Sequence, residues 1–188
     1  MKYTQEMMLH SDSGYCMPFE ERDKNVEMTL GYGKQRHPQT GETFFHHGVD
    51  FKAYHYLLSA VATGQVTGIG NDAIHGVYQV IRYGGYEVTY SHLSNVFKAF
   101  GNGVKAGQIV AVSGDLLHMV VKYNGEELNP IEFLTMLYGN LKAMEQSGQV
   151  GIPEFVTIGM DLHILCQLHF FHDNVDVQAV FNFCHCLK

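Results

Sequence analysis

A mainly β fold, an antiparallel β-sandwich or barrel-like domain with a short helical or mixed C-terminal extension, is predicted by three features of this 188-residue sequence. From about Met28 to Pro130, short apolar runs rich in Val, Tyr and Thr alternate with glycine turns, a pattern of strands rather than helices. Two tight turns fit it: "YGGY" at Tyr83 to Tyr86, and "YNGEE" from Tyr123, whose Asn-Gly pair favours a hairpin. After Pro130 the composition changes, and "IEFLTMLYGNLKAMEQSG" has helix-compatible apolar spacing with an end at Gly148.

Taken in order, residues 1–17 read as an N-terminal extension and residues 18–135 as the main domain. Strands are predicted over Ser59 to Thr67, Gly76 to Tyr83, Tyr86 to His92, Ile109 to Ser113 and Leu117 to Tyr123. Several short strands at such close spacing imply a sandwich or barrel. Residues 136–188 form a C-terminal extension whose apolar, histidine-rich last part cannot be assigned to helix or strand.

Composition narrows the function. Nineteen acidic against twelve basic residues give a formal charge of -7. This excludes a general nucleic-acid binder, which needs surplus Lys and Arg to neutralise phosphates. The N-terminus lacks the apolar run of a signal peptide, and no stretch is long and apolar enough to span a bilayer. Cys16, Cys166, Cys184 and Cys186 are too unevenly placed for a disulfide framework. Histidine is the outlier: its 12 residues equal Lys and Arg together.

The stretch "FFHHGVDF", residues 44–51, is a candidate metal site. Zinc binds imidazole and carboxylate at about 2 Å, so its ligands must converge. Extended chain would hold residues 46 and 50 roughly 13 Å apart. The segment must therefore bend, and Gly48 can supply the bend because it tolerates backbone angles denied to other residues. His46 and Asp50 could then chelate one ion with a third ligand from elsewhere. Taken alone, the stretch is equally compatible with Asp50 capping a turn and His47 standing exposed.

The surrounding blocks decide between these readings. "LGYGKQRHPQTGETFFHHGVDF", "SAVATGQVTGIG", "YGGYEVTYSHLSNV", "NGVKAGQIVAVSG" and "LHMVVKYNGEELNP" follow one another in the order of the lysostaphin-type (LytM-like) zinc metallopeptidases, which the chain resembles over about residues 18 to 135. The resemblance implies one Zn²⁺ held by His46 and Asp50, of an HxxxD motif, and by His118, the second histidine of an HxH. The fourth coordination position is left to water or substrate, as in a catalytic site. It further implies that His92, in "YSHLS", is a catalytic residue that does not bind the metal, and that the substrate is a peptide cross-link of peptidoglycan.

One departure stands out. The sequence reads "DLLHMV" where the family usually shows "HLHFE", so Leu116 occupies a catalytic histidine's position. Residues 116 and 118 of a strand share a face, and leucine can neither donate a hydrogen bond nor accept a proton. The preceding "VSGDLLH" is also short, which removes one wall of the usual substrate groove. Asp115, His47 and His75 are candidate replacements. Two functions follow: a zinc metalloendopeptidase of reduced activity, or a degenerate member that binds zinc or cell-wall peptide as a regulator or adaptor.

Five tyrosines, Tyr54, Tyr56, Tyr83, Tyr86 and Tyr90, are candidates for lining a groove for a glycine-rich or stem peptide. Tyr90 leads them, because strand alternation puts it on the face of His92. In the tail, His163, Cys166, His169 and His172 recur every three residues, but their spacing matches no zinc motif, and an interleaved packing face is the expected reading. Clustered free cysteines suit a reducing compartment, whereas the resemblance points outside the membrane, so localisation stays open.

Overall fold

The computed structural model describes residues 4–19, 26–37 and 39–147, all within a compact unit that spans residues 1–157. The tail residues His163, Cys166, His169, His172, Cys184 and Cys186 lie outside the described residues.

The fold is mainly antiparallel β. In chain order the strands are β1 (Glu27–Leu30), β2 (Gly33–Arg36), β3 (Thr43–His46), β4 (Val49–Lys52), β5 (Leu57–Ser59), β6 (Gly64–Asp72), β7 (Gly76–Tyr83), β8 (Tyr86–Val96), β9 (Gly103–Val104), β10 (Ile109–Tyr123) and β11 (Glu126–Leu128), followed by helix α1 (Pro130–Gln146). One sheet runs β1-β4-β10-β8-β7-β6-β9, with β5 and β11 also paired to β10, while β2 and β3 form a separate hairpin. Strand β10 is the spine, pairing with β5 near its start, β4 in its middle, β11 at its end and β8 on its other edge.

The expected turns form. Asn124 and Gly125 both take positive φ, at 49° and 88°, which matches the type I′ geometry that suits the strand twist. Gly84 takes φ 57° at the first central position of the other hairpin. The single strand expected over 59–67 is instead two. Its first part pairs with β10 and its second with β7 and β9, and the chain crosses between them through the fully buried Ala60, Val61 and Ala62. A continuous apolar run does not reveal which partner each half will choose. Conversely, the two strands expected at 109–113 and 117–123 are one, with an irregularity between Ser113 and His118.

Alternation builds the core. Val49 and Phe51 of β4, Ile81 of β7, Val88 of β8, and Leu117, Met119 and Val121 of β10 are all buried. Helix α1 begins at Pro130, in the first turn where its missing N–H costs nothing, and is capped by the Asn129 side chain accepting from Ile131 N at 3.0 Å. It buries Phe133, Leu134 and Leu137, with the Phe133 ring 4.9 Å from that of Tyr86. The helix continues across the boundary expected at residue 135. The N-terminal segment also packs on the domain: Met7 and Leu9 are buried, Tyr86 donates to Met7 O, and Asn140 Nδ2 donates to Leu9 O.

Candidate metal centre

His46 ends β3, Asp50 lies in β4, and the two-residue connection His47-Gly48 turns the chain between them. His118 is Asp50's partner across the β4–β10 ladder. These placements converge: His118 Nδ1 is 2.7 Å and His46 Nε2 is 3.4 Å from the same oxygen, Asp50 Oδ1. One ligand atom from each residue lies within 4.8 Å of the others. Tetrahedral ligands on zinc, each about 2 Å from the ion, stand roughly 3.3 Å apart. The His46, Asp50 and His118 donors could therefore hold a metal ion of the kind the sequence implies.

The surroundings prepare the donors. His46 Nδ1 lies 2.9 Å from the Gly31 carbonyl, so the proton sits there and the Nε2 lone pair is free to face the centre, a common second contact for ligating histidines. All three side chains retain some solvent access, at 12%, 17% and 18% exposure, which leaves a route for water or substrate.

Gly48 contributes differently from expectation. It does not adopt a positive φ, so permissive backbone angles are not its use. A Cβ at this position would fall 2.5 Å from His118 Cε1 and 2.6 Å from Met119 O. The residue is glycine because the imidazole of His118 occupies the space where a side chain would stand.

His92 lies on β8 beside Ser91, the ladder partner of His118. It is half-buried and outside the three-donor group. Its φ of 59° is left-handed, and both ladders of β8 lose register around it: β7 jumps from Gln79↔Tyr90 to Val77↔Leu93, and β10 from His118↔Ser91 to Ser113↔Leu93. His92 is thus a bulge residue. This overturns the expectation that Tyr90 shares its face and lines a substrate groove. The bulge interrupts alternation, and Tyr90 is fully buried, as are Tyr83 and Tyr86. Burial also raises the Tyr90 phenol well above its ordinary pKa. Of the five tyrosines considered, Tyr54 is exposed and Tyr56 half-buried.

The candidate replacements for the missing histidine are occupied elsewhere or turned away. The His47 ring is 3.1 Å from Glu127 Oε1 and packs, tilted by 52°, against the Phe45 ring. Glu127 also helps, after burial, to push the Tyr32 phenol up to about 12. His75 is 2.9 Å from Asp72 Oδ2, and Asp115 is exposed, out of phase with Leu116. Opposite Leu116 across the β4–β10 ladder stands Lys52, which the sequence reading missed. Counting by twos from Asp50 along "DFK" would have found it.

Residues 44–130 match the model of peptidase family M23. Over those residues the chain is similar to M23-family peptidases. It is 35% identical over 107 residues to an uncharacterized metalloprotease of Haemophilus influenzae, a match covering 52% of this chain and 22% of that protein. Among solved structures, a zinc containing peptidase from Vibrio cholerae is similar at TM-score 0.54 and 26% identity, over 62% of this chain and 39% of that one. The catalytic domain of lysostaphin from Staphylococcus simulans is similar at TM-score 0.52 and 25% identity, over 62% of this chain and 98% of that domain. The chain thus spans a minor part of the first two relatives and nearly all of the lysostaphin domain. M23 proteins are zinc metallopeptidases, and the His46–Asp50–His118 group of this chain can hold a metal. No described helix is long and apolar enough to cross a membrane.

Proposed function

We propose that this chain is a zinc metalloendopeptidase that cuts peptide cross-links in bacterial peptidoglycan, with turnover reduced by the leucine at position 116. The observation that carries this reading is the convergence of His46, Asp50 and His118 on one partly open face of the sheet. Bound there, zinc would supply a nucleophilic water at neutral pH and polarise the scissile carbonyl.

The reaction adds water across the amide C–N bond, placing hydroxyl on the carbonyl carbon and a proton on the departing amine. His92 is assigned to that proton traffic, since imidazole can both accept and donate near neutral pH. Its bulge aims it away from the core that claims Tyr90. Leu116 can do neither job, and loss of one such group costs roughly two to four orders of magnitude in rate.

That substitution also favours a second reading, a domain that binds zinc or cell-wall peptide as a regulator or adaptor without cutting it. Either role would be exercised outside the cytoplasmic membrane. Incubation of zinc-loaded protein with purified peptidoglycan, with and without chelator, separates the two. Chelator-sensitive peptide products identified by mass spectrometry support the peptidase, whereas their absence with folded, zinc-bound protein supports the binding module.

A further inference from the structure

The ladder around Leu116 determines which side chain stands beside the vacated position. Strands β4 and β10 pair without interruption through Leu116↔Lys52, Leu117↔Phe51, His118↔Asp50 and Met119↔Val49. Asp50 and His118 touch, so they share a face, and alternation puts Lys52 and Leu116 on that same face. The intervening Phe51 and Leu117 point into the core, at 3% and 0% exposure. Directly opposed Cβ atoms are about 5 Å apart and diagonal ones about 7–8 Å, still within reach of a long side chain. Lys52 therefore has Leu116 as its opposite neighbour and the ligand His118 as its diagonal one.

Among the described residues, the Lys52 ammonium is also uncommitted. Lys52 is exposed, and among the described residues it makes no ion pair or side-chain hydrogen bond. Glu27 is opposite it on β1 and exposed, yet the two are not paired. His47 and His75, by contrast, are each held by a carboxylate.

We infer that Lys52 supplies the charge stabilisation that Leu116 cannot, donating to the scissile carbonyl oxygen as negative charge develops on it. The inference rests on the peptidase reading above. A charged ammonium has three donors and no acceptor, so it can stabilise an oxyanion but cannot take the water's proton. The two duties expected of paired histidines are thereby divided, with proton transfer left to His92 and charge to Lys52.

The test compares Lys52→Met and Lys52→Arg in the natural chain and in a Leu116→His background. The readouts are hydrolysis of peptidoglycan peptides, zinc stoichiometry, and calorimetric affinity for a phosphinic glycine peptide, a stable tetrahedral anion. Removing one oxyanion donor costs up to roughly 100–1,000-fold in kcat, and an exposed lysine should give roughly tenfold or more. Lys52→Met is expected to lower kcat by that factor with KM and zinc unchanged, and to weaken phosphinate binding in parallel. Lys52→Arg retains most of both. In the Leu116→His background the loss shrinks to a few-fold, because a histidine again serves the oxygen.

Unchanged kcat and phosphinate affinity in Lys52→Met, or equal losses in both backgrounds, would overturn the assignment. If the natural chain hydrolyses no peptide, the peptidase reading falls and phosphinate affinity alone judges Lys52. A phosphinate affinity unaffected by Lys52→Met, or no measurable phosphinate binding at all, then rejects the assignment.

Discussion

The two halves of β10 obey different rules. From Met119 to Tyr123 the strand pairs residue for residue with β8, burying Met119 and Val121 and ending in a regular Asn-Gly hairpin. Between Ser113 and His118 it parts from β8, so that residues 114–117 stand against His92 alone, and it takes its partners from β4 and its flanking loop instead. The regular half is scaffold, specified by alternation and turn chemistry. The irregular half holds His118 and Leu116 and stands against the left-handed His92 of β8. Local rules are broken where side chains have to be aimed at a site rather than packed.

Changing the irregular half should therefore alter activity more than stability. Leu116→His is the largest expected effect: restoring a donor and acceptor beside His118 should raise peptide hydrolysis roughly a hundredfold, measured as kcat on peptidoglycan fragments. Little gain would place the main defect in the short "VSGDLLH" segment. His92→Ala should slow turnover by roughly a hundredfold with zinc content unchanged. His92→Gly should be equally slow yet more stable by up to about 1 kcal/mol in denaturant unfolding, because glycine relieves the positive φ. A variant both slow and less stable would mean that His92 is a packing residue.

At the junction of the halves, Gly48→Ala should cost both properties. Its methyl would press on His118 and the Met119 carbonyl, which predicts a loss of roughly 1–3 kcal/mol in stability and weaker zinc binding. The smallest effect belongs to the β6–β7 turn. Backbone N–H donation from His75, then the His75 ring, hold the Asp72 carboxyl down at about 2. A depressed carboxyl stabilises the fold above its unfolded value and loses that contribution as pH falls through about 2. Asp72→Asn should lower Tm slightly at neutral pH, and the difference should vanish in strong acid.

What was legible in the sequence follows the same division. The hairpins at Gly84 and Asn124, strand β7 and helix α1 could be read because each is set by local chemistry. His46, Asp50 and His118 were singled out by their place in the family-like blocks, and the structure brings the three together. Tyr90 was misplaced because the face it was expected to share with His92 was counted through a bulge, which a strict count of two cannot foresee. The use of Gly48 was hidden because the atom it avoids belongs to a residue seventy positions later. Lys52 was overlooked because it matters only through its ladder partner.

The central claim is that His46, Asp50 and His118 together hold one catalytic zinc. Elemental analysis of the purified chain and of its three single alanine variants, after equilibration with zinc and removal of the excess, tests it most directly. One zinc per natural chain, lost in each variant while circular dichroism stays unchanged, is the predicted result. No zinc in the natural chain, or full retention in His118→Ala, would contradict it.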